Sequence, residues 1–272
     1  MIDTSPEGLV AMLRGKRFIV LTGAGVSTES GLPNYRGEGA PQRTPMTIER
    51  FLESEDARER YWTGAHLGWR LFSEVVPNEA HLAVGRMQRA GLVTSVVTQN
   101  VDELHEAGGA SDVIHLHGRL STVRCLRSGH VFDRTLVARW IDELNPWIEQ
   151  PDAFALNPDG DVTPVGDDRM RVPACPDCGG ILKPDVVFFG ELVPKPVFAR
   201  AQTAVDQAEA VLVAGSSLAV NSAVRVLNAA RRRDLPVAIV NRGPTRWDAR
   251  ADVRVEGAAG EVLSELADAL IA

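Results

Sequence analysis

Short apolar runs alternate with helix-patterned segments along most of the 272 residues, and this alternation limits the fold more than any single motif does. Phe18–Leu21, Thr94–Thr98, Val113–Leu116, Ala210–Ala214 and Val237–Val240 read as strands buried on both faces. Helical patterns cover Pro6–Arg14, Thr47–Val76, Glu79–Arg89, Pro196–Ala208, Val220–Arg233 and Glu261–Ile271. The expected class is α/β, a Rossmann-like doubly wound parallel sheet. Between Arg119 and Leu182 the alternation lapses, apart from a helix expected over Asp133–Glu143, and turn chemistry takes over at Asn157–Asp161 and Gly166–Asp168. Val186–Phe189 then reads as a further strand.

The unusual polar groups fall at the carboxyl ends of these strands. Gly23, Ala24 and Gly25 follow the first, Gln99 and Asn100 the second, and His117 the third. Gly215, Ser216 and Ser217 follow Ala210–Ala214, and Asn241 follows Val237–Val240. In open α/β sheets that edge binds ligands, so five such strand ends point to one extended nucleotide site. The glycines let backbone approach an anion closely. The loop is nevertheless not the dehydrogenase fingerprint. Thr28 stands where the third glycine belongs, and no acidic residue ends a strand about twenty residues on.

Hydrophobic residues make up 44% and charged residues 24%, as in an ordinary globular protein, and the formal net charge of −7 argues against a nucleic-acid or anionic-membrane partner. The N-terminal segment lacks a charged-then-apolar signal pattern, and three cysteines favour a reducing compartment, so a cytoplasmic setting is expected. Cys175 and Cys178, followed by Gly179-Gly180, read as a zinc knuckle. A redox pair is the rival reading, but those usually open a helix, which two glycines oppose.

The loop Gly23–Gly37, with TQNVDELH (98–105), HLHG (115–118), CPDCGG (175–180), KPDVVFFGE (183–191) and GSSLAV (215–220) in order, resembles the sirtuins, NAD-dependent protein deacylases. The form STESGLPNYRG and the PDGDV loop are most similar to the class II branch, which contains the mitochondrial member associated with lipoyl-type and branched acyl groups.

The resemblance implies an NAD-binding domain over residues 1–40, 79–118 and 183–272. A small domain follows from a helical part (41–78) and a zinc-ribbon-like module (119–182). His117 would be the general base acting on the ribose hydroxyls, with Asn100 and Asp102 beside it in catalysis. NAD, a co-substrate, would meet Gly23, Ala24, Gly25, Ser27, Pro33, Tyr35, Arg36, Gln99, Asn100, Asp102, Gly215, Ser216, Ser217, Asn241, Arg242 and Ala259. An acyl-lysine peptide would lie along Val187, Phe188, Phe189, Gly190 and Glu191 by main-chain pairing. His105 reads as structural, and a metal pair of His115 with His117 ranks below the base reading. One structural zinc would take Cys125, Cys175 and Cys178. Ser128 stands where a fourth cysteine is expected, leaving Ser128, His130, water or an empty site as alternatives. The implied reaction releases nicotinamide and the O-acyl ester of ADP-ribose. A mono-ADP-ribosyltransferase and a non-catalytic NAD or ADP-ribose sensor are the alternatives. Desuccinylating sirtuins carry a Tyr-x-x-Arg pair, whereas Tyr61 here is followed by Trp62, Thr63 and Gly64, so neutral acyl groups, acetyl or longer, are expected.

Overall fold

A computed structural model describes residues 2–34, 45–148, 156–163 and 169–272. The chain forms two compact units: Met1–Ala40 with Val76–Leu116 and Val193–Ala272, and Pro41–Val75 with His117–Leu192.

The larger unit is built on six parallel strands: β1 (Phe18–Thr22), β2 (Val93–Thr98), β3 (Val113–His115), β7 (Ala210–Ala214), β8 (Val237–Asn241) and β9 (Val253–Glu256), in the order β3-β2-β1-β7-β8-β9. Side chains alternate between faces along a strand. Phe18 and Val20 accordingly join one core with α1 (Pro6–Leu13), α4 (Glu79–Arg89) and α9 (Ala259–Ile271). Ile19 and Leu21 join the other, with α7 (Lys195–Asp206) and α8 (Asn221–Arg231). All five residues of β1 are buried, as a central strand covered on both faces requires. The helix starts are set locally. Ser5 caps α1 by accepting from the Gly8 amide, with Pro6 just inside, and Asn78 caps α4 by accepting from the Ala80 amide.

Strand order reverses between β1 and β7, the topological switch point. There the Gly25 N–H donates to the Gly215 carbonyl at 2.8 Å, and the Gly23 N–H donates to the Ala214 carbonyl. Gly215 has φ 58°, and a Cβ on it would lie 2.4 Å from the Val26 nitrogen. One on Gly25 would lie 2.8 Å from the Gly215 oxygen. These glycines therefore let two strand-end loops pack backbone to backbone.

The smaller unit contains an antiparallel sheet ordered β5-β4-β6, from β4 (Gly118–Cys125), β5 (Val131–Asp133) and β6 (Leu182–Val186). Its helices are α2 (Ile48–Glu53), α3 (Glu55–Ser73) and α6 (Arg134–Leu144), and α5 (Leu104–Ala107) belongs to the larger unit. Phe51, Tyr61, Trp62, Val123, Val137, Ile141 and Phe188 form its core. The Trp62 indole N–H donates to the Leu182 carbonyl, and the guanidinium of fully buried Arg134 lies over Trp62 and Trp69 at 5.0 and 5.3 Å.

Four readings change. The helix expected over Thr47–Val76 breaks at Ser54, which turns extended and caps α3 by accepting from the Ala57 amide. The strand expected at Val186–Phe189 ends at Val186, and an isolated bridge pairs Phe189 with Thr47. The stretch from 119 to 182 holds strands whose pattern was not legible, because the register of β4 against β6 shifts between Gly118 and Val123 and breaks the two-residue period. His117, Gly118 and residues 183–192, assigned by sequence to the larger domain, lie in the smaller unit because β6 pairs with β4.

Gly215→Ala is expected to destabilise the larger unit by at least about 2 kcal/mol, from left-handed backbone strain plus a backbone clash. Denaturant unfolding of the variant checks this, and an unchanged midpoint would remove the close-approach argument.

Candidate functional site

Behind the carboxyl edge of the larger unit's sheet lies a connected set of buried polar side chains. Thr22 and Thr98 end β1 and β2, and the Thr22 hydroxyl donates to Thr98 Oγ1 at 2.9 Å. Thr98 Oγ1 also accepts from the Asn100 backbone N–H, which fixes the turn after β2. Asn100, 8% exposed, donates from Nδ2 to Ser27 Oγ, and the Ser27 hydroxyl donates to Asp102 Oδ2 at 2.7 Å. Gln99 donates from Nε2 to the Thr22 carbonyl and to Ser216 Oγ, which ties the β2 end to the β7 end across β1. Ser216 in turn accepts from the Leu218 N–H and holds that buried residue at φ 55°. Glu103, after Asp102, also has φ 55°. Strained backbone at non-glycine positions thus falls in two of these loops.

Three histidines close the network from below. His81 Nε2 lies 3.4 Å from Ser27 Oγ while its Nδ1 accepts from the Asn78 N–H. The His105 ring packs against it at 4.9 Å, with Nε2 2.9 Å from Thr22 Oγ1. His115 pairs with Glu106 at 2.7 Å and lies 3.3 Å from the Asn100 carbonyl. Burial holds the His81 pKa down to about 4 against the opposing pull of Asp102, and burial keeps His105 well below its usual range. Both are neutral near pH 7. His81 was not legible as a site residue, because a histidine on an amphipathic helix looks like any core position. Its capping contact with Asn78, three residues earlier, is the local signal available.

The sequence-predicted residues distribute as follows. Gln99, Asn100, Asp102, Ser27 and Ser216 come together, Gly23, Gly25 and Gly215 meet at the switch point, and Ala24 heads the short turn between them. Ser27 is 1% exposed and its hydroxyl is taken up by protein groups, so it positions Asn100 and Asp102. Pro33 and Ser217 are half-buried, Asn241 donates to the Arg242 and Gly243 carbonyls, Arg242 is exposed, and Ala259 begins α9. Tyr35 and Arg36 lie outside the described residues. The chemistry of this set fits a dinucleotide. Carboxamides and hydroxyls line one parallel-sheet edge at a switch point, and the N-cap residues of α8 and α9, Val220 and Ala258, supply no side-chain cap.

In the smaller unit, half-buried His117 opens β4's approach, and its carbonyl accepts the Val187 N–H at 2.8 Å. The segment after β6 is held from several sides. Glu191 Oε2 accepts from Lys183 Nζ at 2.9 Å and from the Phe188 N–H at 2.7 Å, and the Phe189 carbonyl accepts from the Ile48 N–H. The Lys183 ammonium also sits 4.3 Å over the Phe188 ring. Lys183 is buried, and burial lowers its pKa despite Glu191. Val187 is half-buried, while Phe189 and Gly190 are exposed.

Cys125, Cys175 and Cys178 bring their Sγ atoms within 4.8 Å of one another. The Ser128 hydroxyl and N–H hold the Cys125 thiol down at about 6, whereas burial raises Cys175. Three convergent sulfurs fit a zinc ion. His130 instead groups with Cys175 and Asp177, its Nδ1 2.7 Å from Asp177 Oδ2. Among the described residues, no helix is long and apolar enough to cross a membrane.

The neutral histidines make stability pH-dependent. Above about pH 6.5 the folded and unfolded chains both hold His81 uncharged. Between 6.5 and about 4 the unfolded chain takes up a proton that the folded chain refuses, so stability falls as pH drops through that window. His81→Asn is expected to reduce the slope of unfolding free energy against pH there by up to about one proton per molecule. Denaturant titrations at several pH values check it, and parallel curves would exclude His81 as the cause.

The Sir2 family model matches residues 23–222. The chain is 46% identical over 270 residues to NAD-dependent protein deacetylase 1 of Mycobacterium avium, covering 98% of this chain and 95% of that one. It is 47% identical over 264 residues to the protein of the same name from Streptomyces coelicolor, covering 95% and 87%. Among solved structures it is similar to a Sir2 homolog–NAD complex, with TM-score 0.76, 30% identity and coverage of 99% and 96%. It is also similar to a Sir2 complex with a p53 peptide and NAD+, with TM-score 0.78, 27% identity and coverage of 97% and 98%. With its glycine junction, its polar strand ends and this degree of identity along nearly its whole length, the chain belongs to the Sir2 family.

Proposed function

We propose that this protein is an NAD-dependent protein-lysine deacylase. The observation that carries the reading is the Gln99–Asn100–Ser27–Asp102 network at the switch point of a Sir2-family sheet. Relatives named as NAD-dependent protein deacetylases, and neighbours solved with NAD and with a peptide, support it. NAD, when bound, supplies a ribose carbon whose bond to nicotinamide can be broken in favour of the acyl-amide oxygen.

The residues then have distinct tasks. Gln99 has its amide hydrogens committed to Thr22 and Ser216, so its oxygen is left as an acceptor at a fixed place. Asn100 and Asp102 are oriented by Ser27, which removes the cost of ordering them when a substrate arrives. His117 serves as the base for a ribose hydroxyl, a role an imidazole nitrogen can fill as proton acceptor. Phe189 and Gly190 are exposed in the turn that follows edge strand β6, and the free edge of that strand is where a peptide backbone adds on. Nicotinamide release that depends on an acyl-lysine peptide tests the whole reading. Release into an acceptor without deacylation would favour ADP-ribosyl transfer instead.

His117→Ala is expected to lower kcat by ~10²–10⁴-fold with the fold intact. Near-normal turnover would remove His117 from the mechanism.

Acyl preference follows from the wall around Tyr61. Its ring packs edge-on against Phe51 at 5.6 Å and Phe188 at 5.0 Å. Three residues on, Gly64 contributes only a carbonyl, which accepts the Val162 N–H. The buried cations described in this region are already engaged, Arg134 by Trp62, Trp69 and the Ala65 carbonyl, and Lys183, over the Phe188 ring, by Glu191. A carboxylate-bearing acyl group would lose its hydration for no paired cation. Acetyl or longer neutral acyl-lysine peptides are therefore expected to outperform succinyl-lysine in kcat/KM by at least tenfold, roughly 1.4 kcal/mol. A peptide panel followed by nicotinamide release decides it, and efficient desuccinylation would contradict the reading.

A further inference from the structure

The cysteine module is made of two copies of one turn. In the first, the Gly129 N–H donates to the Cys125 carbonyl at 2.9 Å and the Cys125 N–H donates to the His130 carbonyl at 2.8 Å. In the second, the Gly179 N–H donates to the Cys175 carbonyl at 2.8 Å and the Cys175 N–H donates to the Gly180 carbonyl at 2.9 Å. Gly129 and Gly179 both take positive φ, 76° and 66°. This register equates Ser128 with Cys178 and His130 with Gly180. Ser128 thus stands where the fourth sulfur of a closed site would stand, and His130 lies beyond the knuckle.

The surroundings agree with that assignment. The Ser128 N–H approaches Cys125 Sγ at 3.5 Å, and Cys125 and Cys178 Sγ are 3.5 Å apart. Sulfurs sharing one tetrahedral zinc at about 2.3 Å lie close to that separation. A Cβ on Gly180 would meet Cys125 Sγ at 2.7 Å and Cys178 Sγ at 3.2 Å, so the second knuckle closes on the sulfurs only with glycine there. The His130 ring pairs with Asp177 at 2.7 Å and meets the edge of Phe132 at 6.5 Å, so that its nitrogen groups with Cys175 and Asp177 but not with all three sulfurs. Ser128 is exposed, so the fourth corner faces water.

We propose that Cys125, Cys175 and Cys178 hold zinc through three thiolates, with the fourth position taken by an exchangeable oxygen, the Ser128 hydroxyl or a water, and not by His130. Structural zinc sites close with four sulfur or nitrogen ligands, whereas sites that keep an oxygen in the fourth place stay open to exchange. The metal of this chain is then held yet labile.

The full-length protein, purified with zinc present, is assayed for metal content, melting temperature in chelator, and zinc transfer to a chromophoric chelator. Wild type should carry close to one zinc per chain and lose melting temperature on chelation. Ser128→Cys should tighten zinc at least about tenfold and slow its transfer. His130→Ala should leave content and transfer unchanged. Ser128→Ala assigns the oxygen, weakened binding marking the hydroxyl and unchanged binding marking water. Circular dichroism confirms that each variant is folded. A zinc-free wild type that melts unchanged in chelator would overturn the proposal, as would loss of zinc in His130→Ala or no gain in Ser128→Cys.

Discussion

Everything at the sheet edge of the larger unit depends on the contact between the β1 and β7 ends, where the Gly25 N–H meets the Gly215 carbonyl. Two backbones approach there without intervening side chains, and any Cβ would collide with main-chain atoms that cannot move aside. The contact sets the spacing of the loops that carry Gln99 and Ser216, and their hydrogen bond spans the same gap. Glycines that read as an anion cradle therefore act first as a hinge of packing. Their N–H groups at 23 and 25 are spent on the Ala214 and Gly215 carbonyls, so a bound anion must find its donors elsewhere.

Burying so many polar groups behind that edge is tolerable because most of them satisfy one another, with His105 Nδ1 left without a partner among the described residues. Thr22, Thr98, Asn100, Ser27 and Asp102 form a chain in which each member orients the next. The neutral histidines beneath it avoid the larger cost of a buried charge. A rigid, pre-ordered set of carboxamides and carboxylate results, the arrangement a reaction that relies on orientation and water exclusion requires.

The smaller unit solves a different problem, holding short elements together with a small core. Buried Arg134 spread over two tryptophans, Lys183 clasped by Glu191, and paired cysteine knuckles replace the apolar area that a larger core would supply. The Lys183–Glu191 clasp also shapes the segment after β6, since Glu191 takes up the Phe188 N–H and leaves Phe189 outward.

Local pattern alone determined the parallel α/β class and the gathering of polar residues at strand ends. Continuous apolar runs such as Phe18–Leu21 can be buried only on both faces, and helices must then cover them. The six-strand order and the β1/β7 reversal were not legible, because pairing between strands distant in sequence leaves no local trace. Tertiary structure likewise decided that Ser27 is a buried positioning group and that His81 and His105 lie beneath it, since their contacts join segments far apart in the chain. The irregular register of β4 hid the small sheet. The motif at Cys175–Gly180 was plain from spacing, but only the folded turns show that Ser128 matches Cys178 while His130 falls outside, because that equivalence lies in backbone hydrogen bonds and not in residue type.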